Sequence, residues 1–223
     1  MPAHNESENL RWLLPRINEV VPTMFERYNV IIVDDGSTDG TGDVARSIAK
    51  ELGMELKVIR HEHMSGYGAA VGDGLRAADL DYTAFTDSDG QLDVADFAKL
   101  VPLLKDADLA AGSRMTREDP AFRSVISGTF NVLVLWTLQI DVRDVNCALK
   151  IIKTPMLKRM TLHSRSALIN AEMYWKVGRL GGRYAQVGVP HHPRTMGRRS
   201  GGRLIPILRA SKELIQIRFR RDI

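Results

Sequence analysis

Asp87 and Asp89 stand one residue apart, directly after the apolar, strand-like run Tyr82-Thr83-Ala84-Phe85-Thr86. Two carboxylates at the end of a strand can aim at one hard cation. Mg²⁺ and Mn²⁺ prefer such oxygen ligands, with phosphate oxygens and water completing the shell. Asp, Ser and Gly also form turns, so a plain surface turn at Asp87-Ser88-Asp89-Gly90 is the alternative. Other segments repeat the arrangement. Asp34-Asp35-Gly36-Ser37 closes a second apolar run, and Gly112-Ser113-Arg114 closes a third. Pro2-Ala3-His4-Asn5-Glu6 leads into a helix.

The elements that must carry these residues alternate. Tyr28 to Val33 reads as a buried strand, Asp39 to Leu52 as a helix and Leu56 to Ile59 as a short strand. Gly66 to Ala78 is a Gly/Ala-rich helix able to pack closely. Thr83 to Thr86 is a strand, Val94 to Leu104 a helix and Leu109 to Ala111 a strand. This rhythm predicts an α/β, doubly wound, mainly parallel sheet with flanking helices. In such sheets ligands bind at the carboxyl ends of the strands, where both Asp pairs fall. Further on, Phe122 to Ile140 reads as a long helix, Ala148 to Ile152 as a strand, Ala167 to Leu180 as a helix and Tyr184 to Val189 as a strand. Pro193 to Gly202 is a basic loop. Leu204 to Phe219 reads as an amphipathic helix with Leu204, Leu208, Leu214 and Ile215 on one side.

Composition narrows the class. A chain of 223 residues with 44% hydrophobic and 26% charged residues can bury one core. Cys147 is the single cysteine, which excludes an internal disulfide and fits a buried thiol in a reducing compartment. The N-terminus is polar from the start, so no signal peptide is read there. The longest apolar stretch, within Gly128 to Ile140, is too short to span a bilayer. From Arg194 onward nine Arg/Lys face two Asp/Glu, while the body before it is mildly acidic. Such a tail suits an anionic partner. Nucleic acid is disfavoured, because the tail lacks interleaved aromatics and any recognition motif. No G-x-G-x-x-G follows a first strand, which argues against a dehydrogenase. The histidines His61, His63, His163, His191 and His192 show no zinc spacing and read as structural or surface residues.

Taken in order, Pro2 to Glu6, Val33 to Thr41, Asp87 to Gln91 and Gly112 to Arg114 resemble the family 2 glycosyltransferases of the GT-A fold. The likeness is strongest to the polyprenyl- and dolichyl-phosphate sugar synthases. Asp144-x-x-Cys147-Ala148-Leu149-Lys150 and the Arg194 to Ser200 loop are similar to later motifs of that family, and Arg123-x-x-x-Ser127 to its lipid-phosphate pair. The resemblance implies a nucleotide site at Pro2, His4, Glu6, Val33, Asp35, Asp87, Ser88 and Gln91. It implies a divalent cation, Mg²⁺ or Mn²⁺, on Asp87, Asp89 and Gln91, and a catalytic set of Asp89, Arg114 and Asp144. It puts the acceptor phosphate at Arg123, Ser127, Arg194 and Arg199. An anionic phosphate acceptor needs no strong base. Asp144 and Glu172 are the candidate bases if the acceptor is a hydroxyl, and Glu172 otherwise reads as an exposed helix charge.

The implied reaction is inverting transfer of a hexose from a GDP- or UDP-sugar to a polyprenyl phosphate, at the cytoplasmic face of a membrane. A membrane-anchoring partner subunit is compatible with it. A saccharide or small-molecule hydroxyl acceptor is the alternative, and a non-catalytic nucleotide-binding subunit a third. Residues 1–193 are expected to form the catalytic domain and 194–223 a basic loop and helix. Because the chain starts at the Pro2–Glu6 motif, the first strand is expected to be missing or to lie upstream of this start. His4 stands where the family has a tyrosine.

Overall fold

The computed structural model describes residues 1–115, 131–194 and 213–219. Among the described residues, seven strands form two sheets. Strands β1 (Pro2–Ala3), β2 (Val30–Asp35) and β3 (Leu56–His61) run parallel in that order. The second sheet has the order β4 (Tyr82–Phe85), β6 (Lys150–Lys153), β5 (Leu109–Arg114), β7 (Tyr184–Val189). There β6 is antiparallel to both β4 and β5, and β7 is parallel to β5. One reversed strand in a mainly parallel set leaves the α/β expectation intact.

The helices are α1 (Ser7–Val20), α2 (Thr41–Leu52), α3 (Tyr67–Ala77), the short α4 (Phe97–Leu100), α5 (residues 131–138), α6 (Thr154–Lys158), α7 (Ile169–Arg179) and α8 (residues 213–219). In α1 the residues Leu10, Leu13, Leu14 and Ile17 recur at helical spacing, and all four are buried. They join Ile32 of β2 and Phe97 and Leu100 of α4 in one continuous core.

Several expectations are corrected. The first strand is present as a stub. Val33 N–H donates to the Met1 carbonyl at 2.9 Å, so the ladder needs no N–H from Pro2. A cavity of about 640 Å³ is lined by residues of β2 and β4. The expected helix Val94 to Leu104 splits into 3₁₀ turns at Val94–Asp96 and Val101–Lys105 around α4. Pro102 sits in the second of these, where it removes a backbone donor. Helix α2 begins at Thr41 and not at Asp39, because Gly40 takes a left-handed φ of 78° and Asp39 accepts from the Thr41 N–H. In α8, Leu214 and Ile217 face the core, whereas Ile215 and Phe219 are exposed. Ile215 is therefore not on the buried side expected of it.

Gly68 opens α3 against the loop before α7. A Cβ there would lie 2.5 Å from the carbonyl oxygens of both Ser164 and Ser166. Main-chain atoms on both sides cannot yield cheaply. Gly68→Ala should therefore destabilise the fold by about 1–3 kcal/mol, read as a lowered urea midpoint at unchanged slope.

Candidate functional site

The carboxyl ends of β2 and β4 and the chain after β1 meet in one place. Residues 5–7 are stitched to the turn that follows β2. Asn5 N–H donates to Ser37 Oγ, Glu6 N–H to Thr41 Oγ1 and Ser7 N–H to Asp39 Oδ2, at 3.0 to 3.1 Å. Asn5 adopts φ 55°, a left-handed conformation that Asn tolerates. His4 Nδ1 lies 2.7 Å from the Asp35 carbonyl. His4 and Glu6 are thus delivered to the rim of the site by backbone contacts.

Asp87 and Asp89 follow β4. Asp87 Oδ1 accepts from Tyr67 Oη at 3.0 Å. Burial, then the charge of Asp89, pushes the Asp87 carboxyl up to about 6. A buried carboxyl raised by burial and by a neighbouring carboxylate suits a divalent cation, which would relieve both costs. Among the described residues no cluster of three or more His, Cys, Asp or Glu side chains stands ready for a metal. Asp87 and Asp89 would therefore need outside oxygens, such as a diphosphate, to complete a shell. Gln91 is committed elsewhere: its N–H donates to Asp89 Oδ1 at 3.1 Å and its Nε2 to the His192 carbonyl at 3.2 Å.

Other expected residues turn out to be braces. Ser88 is 2% exposed and its hydroxyl donates to the Pro2 carbonyl at 2.7 Å, tying β1 to the Asp87–Asp89 turn. Val33 is fully buried beneath the site. Asp35 Oδ1 accepts from His61 Nδ1 and Ser65 N–H, and Oδ2 from Gly66 N–H. Its carboxylate holds the loop ahead of α3 and is already engaged there. Burial opposes the charge on Asp35, but those bonds outweigh it and keep its pKa below the usual value. Asp34 Oδ1 caps Ser37 N–H at 3.0 Å.

Arg114, at the end of β5, gives its fork to Asp144. Nε lies 2.7 Å from Oδ2 and Nη2 2.9 Å from Oδ1, with Arg114 N–H on Oδ2 at 3.2 Å. Asp144 also caps Asn146 N–H. The pair is mutual, so Arg114 is not a lone phosphate ligand and Asp144 is not a free base. Glu172 is fully buried. It accepts from the N–H groups of His163 and Ser164 and lies 3.7 Å from Lys176 Nζ, which corrects its reading as an exposed charge. Arg194 pairs with Glu6 at 2.6 Å and approaches Asp89 at 3.8 Å. Arg123, Ser127 and Arg199 lie outside the described residues.

Sequence reasoning missed four contributors. Tyr67 reaches Asp87 from α3. The ring of Trp12 in α1 packs against Gly90, where a Cβ would come within 2.0 Å of it. His61 bridges Asp35 at 2.7 Å and Asp73 at 2.9 Å. Lys150, 1% exposed, donates to Asn170 Oδ1 at 2.8 Å and to the Cys147 carbonyl, and its Nζ stands near the rings of Phe85 and Tyr174. Burial lowers its pKa to about 8. Only the Asp144-to-Lys150 motif spacing pointed toward any of them.

The sequence matches the family profile described as "Glycosyl transferase family 2" over residues 1–178. The chain belongs to that family. It is 30% identical over 202 residues to the dodecaprenyl-phosphate galacturonate synthase of Rhizobium johnstonii, covering 88% of this chain but 59% of that protein. It is 27% identical over 215 residues to the undecaprenyl-phosphate mannosyltransferase of Micrococcus luteus, covering 91% of this chain and 86% of that one. Its fold is shared with glucosyl-3-phosphoglycerate synthase from Mycobacterium tuberculosis, solved with Mn²⁺, UDP and phosphoglyceric acid. The TM-score is 0.68 at 19% identity, over 97% of this chain and 74% of that one. The family 2 assignment agrees with the GT-A expectation.

Two outcomes follow from this family 2 site. Arg114→Lys keeps the charge but loses the planar fork on a carboxylate that is 4% exposed. It should cost about 1–3 kcal/mol of stability as well as activity, measurable by denaturant titration. The second concerns His61. Its burial disfavours the charged form, but Asp35 and Asp73 outweigh burial and raise its pKa above 6.5. A group whose folded pKa exceeds its unfolded one stabilises fully below the unfolded value. That contribution is lost as pH rises through the folded value. The melting-temperature gap between wild type and His61→Gln should therefore shrink from about pH 6 to about pH 9, by roughly 2 °C.

Proposed function

We propose that this family 2 chain is an inverting, divalent-metal-dependent glycosyltransferase that moves a hexose from a GDP- or UDP-sugar to a polyprenyl phosphate. The observation that carries the proposal is the Asp87–Asp89 pair at the end of β4, beside the His4–Glu6 rim. The curated relatives named above act on dodecaprenyl and undecaprenyl phosphate, which supports the acceptor class. Mn²⁺ with UDP in the structural neighbour supports the donor side.

Asp87 and Asp89 would hold Mg²⁺ or Mn²⁺, which when bound offsets negative charge on the departing diphosphate. His4 and Glu6 would border the nucleoside, with Glu6 accepting from base or ribose donors. Pro2 and Ser88 set the height of that rim, and Asp35 and Val33 support it from below. The Arg114–Asp144 pair fixes the β5 end, where an incoming acceptor phosphate oxygen would meet the sugar. A bond forms from that oxygen to the anomeric carbon as the bond to the diphosphate breaks, with inversion. The acceptor is already anionic, so no base is required. This fits a site whose Asp144 and Glu172 are both engaged.

Residues 1–193 act as the catalytic unit, and the basic segment from Arg194 onward draws the enzyme to an anionic, cytoplasmic membrane face. Among the described residues no helix is long and apolar enough to cross a membrane. A membrane-anchoring partner subunit remains compatible with that peripheral mode.

The test is transfer from radiolabelled GDP-mannose, UDP-glucose or UDP-galacturonate to liposomes containing undecaprenyl phosphate, with Mn²⁺ or Mg²⁺. Label should enter the lipid phase, and the enzyme should pellet with anionic vesicles at low salt. Chelator, Asp87→Ala or Asp89→Ala should each reduce transfer by about three orders of magnitude or more. Wild-type turnover in both variants would remove the metal assignment, and label in a water-soluble product would favour the hydroxyl acceptor.

A further inference from the structure

The segment after β7 crosses the Asp87–Gln91 turn. His192 N–H donates to the Gln91 carbonyl at 2.8 Å, and Gln91 Nε2 returns a bond to the His192 carbonyl at 3.2 Å. This two-bond clasp delivers Arg194 to a pair of carboxylates. Its Nη2 is 2.6 Å from Glu6 Oε1 and its Nη1 3.8 Å from Asp89 Oδ2. All three side chains are largely enclosed, at 12%, 11% and 21% exposure for Arg194, Glu6 and Asp89.

Glu6 and Asp89 are thus two enclosed carboxylates that share one guanidinium, and Asp87 stands beside Asp89. Enclosed carboxylates need a cation or hydrogen bonds to offset their desolvation. A guanidinium suits a diphosphate as well as a carboxylate, through the same two-pronged geometry. Arg194 therefore has two possible partners of like chemistry within reach of one site.

We propose that Arg194 is the resident counter-cation of the donor site: it neutralises Glu6 and Asp89 while the site is empty, and passes to the donor diphosphate when a divalent cation takes over Asp89. The inference rests on the proposed role of Asp89 as a metal ligand. It gives Arg194 a donor-side role in place of the expected acceptor-phosphate role. It has a thermodynamic signature. Bare metal must displace Arg194 from Asp89, so metal alone binds weakly. Metal arriving with diphosphate supplies the anion that Arg194 needs, so the two bind cooperatively and reciprocally.

The experiment is calorimetric titration of the full chain with MnCl₂ alone, then with inorganic pyrophosphate in the presence of Mn²⁺. Wild type, Arg194→Gln, Arg194→Lys and Asp89→Asn are compared. Arg194→Gln should bind Mn²⁺ alone about fivefold more tightly and pyrophosphate about tenfold more weakly, with Arg194→Lys between it and wild type. A bracing role would weaken both or leave both unchanged, and either result overturns the proposal. Silence toward Mn²⁺ from both wild type and Arg194→Gln overturns it as well. Loss of Mn²⁺ binding in Asp89→Asn with unchanged affinities in Arg194→Gln sinks the Arg194 inference while leaving the metal site standing. Wild-type Mn²⁺ binding by Asp89→Asn removes both. If Arg194→Gln does not fold, Glu6→Gln leaves the same guanidinium to Asp89 and should weaken binding of Mn²⁺ alone, and unchanged or tighter Mn²⁺ binding is decisive against the proposal.

Discussion

Negative charge gathered at the strand ends is the constraint on which the rest of this structure depends. Asp34, Asp35, Asp87 and Asp89 close β2 and β4, and Glu6 is brought beside them. Enclosed carboxylates persist only when bonded or paired. Each here has its own solution. Asp34 caps the Ser37 amide, and Asp35 anchors two amides and His61. Asp87 takes the Tyr67 hydroxyl and a raised pKa, while Glu6 and Asp89 share Arg194. Two of the five are fully committed to the fold. The others keep the capacity to exchange partners, which a binding site requires.

The scaffolding follows from that division. The main-chain N–H groups of residues 5–7 are bonded to the side chains of Ser37, Thr41 and Asp39, which fixes the rim to the turn after β2. Ser88 pins the β4 turn to Pro2, and Trp12 covers Gly90 from α1. Lys150 ties the chain after Asp144 to α7 through Asn170. A buried lysine is costly to desolvate, and its hydrogen bonds and flanking rings offset that cost. The Arg114–Asp144 fork then stands on a rigid base.

This arrangement suits transfer to an acceptor that brings its own charge. A hydroxyl acceptor would call for an available base, and the two candidates, Asp144 and Glu172, are spoken for by Arg114 and by the amides of His163 and Ser164. The exposed Ile215 and Phe219 of α8, with Arg218 between them, leave a mixed apolar and basic surface compatible with a peripheral membrane contact.

The sequence by itself determined the class of fold and marked the strand ends as the candidate site. Apolar runs ending in Asp pairs mark strand ends, because period and turn chemistry are local properties. The order of the motifs marked the family. Tertiary structure alone decided which polar group each carboxylate meets. Nothing local in Arg114-x₂₉-Asp144 or Glu6-x₁₈₇-Arg194 announces a pair, since those contacts join elements far apart in the chain. Nor could periodicity show that Ser88 and Asp35 brace the site, because the direction of a side chain at a strand end depends on what packs against it. The two-residue β1 was hidden for a related reason. Two residues carry no pattern of their own, and their pairing with β2 shows only in the tertiary structure.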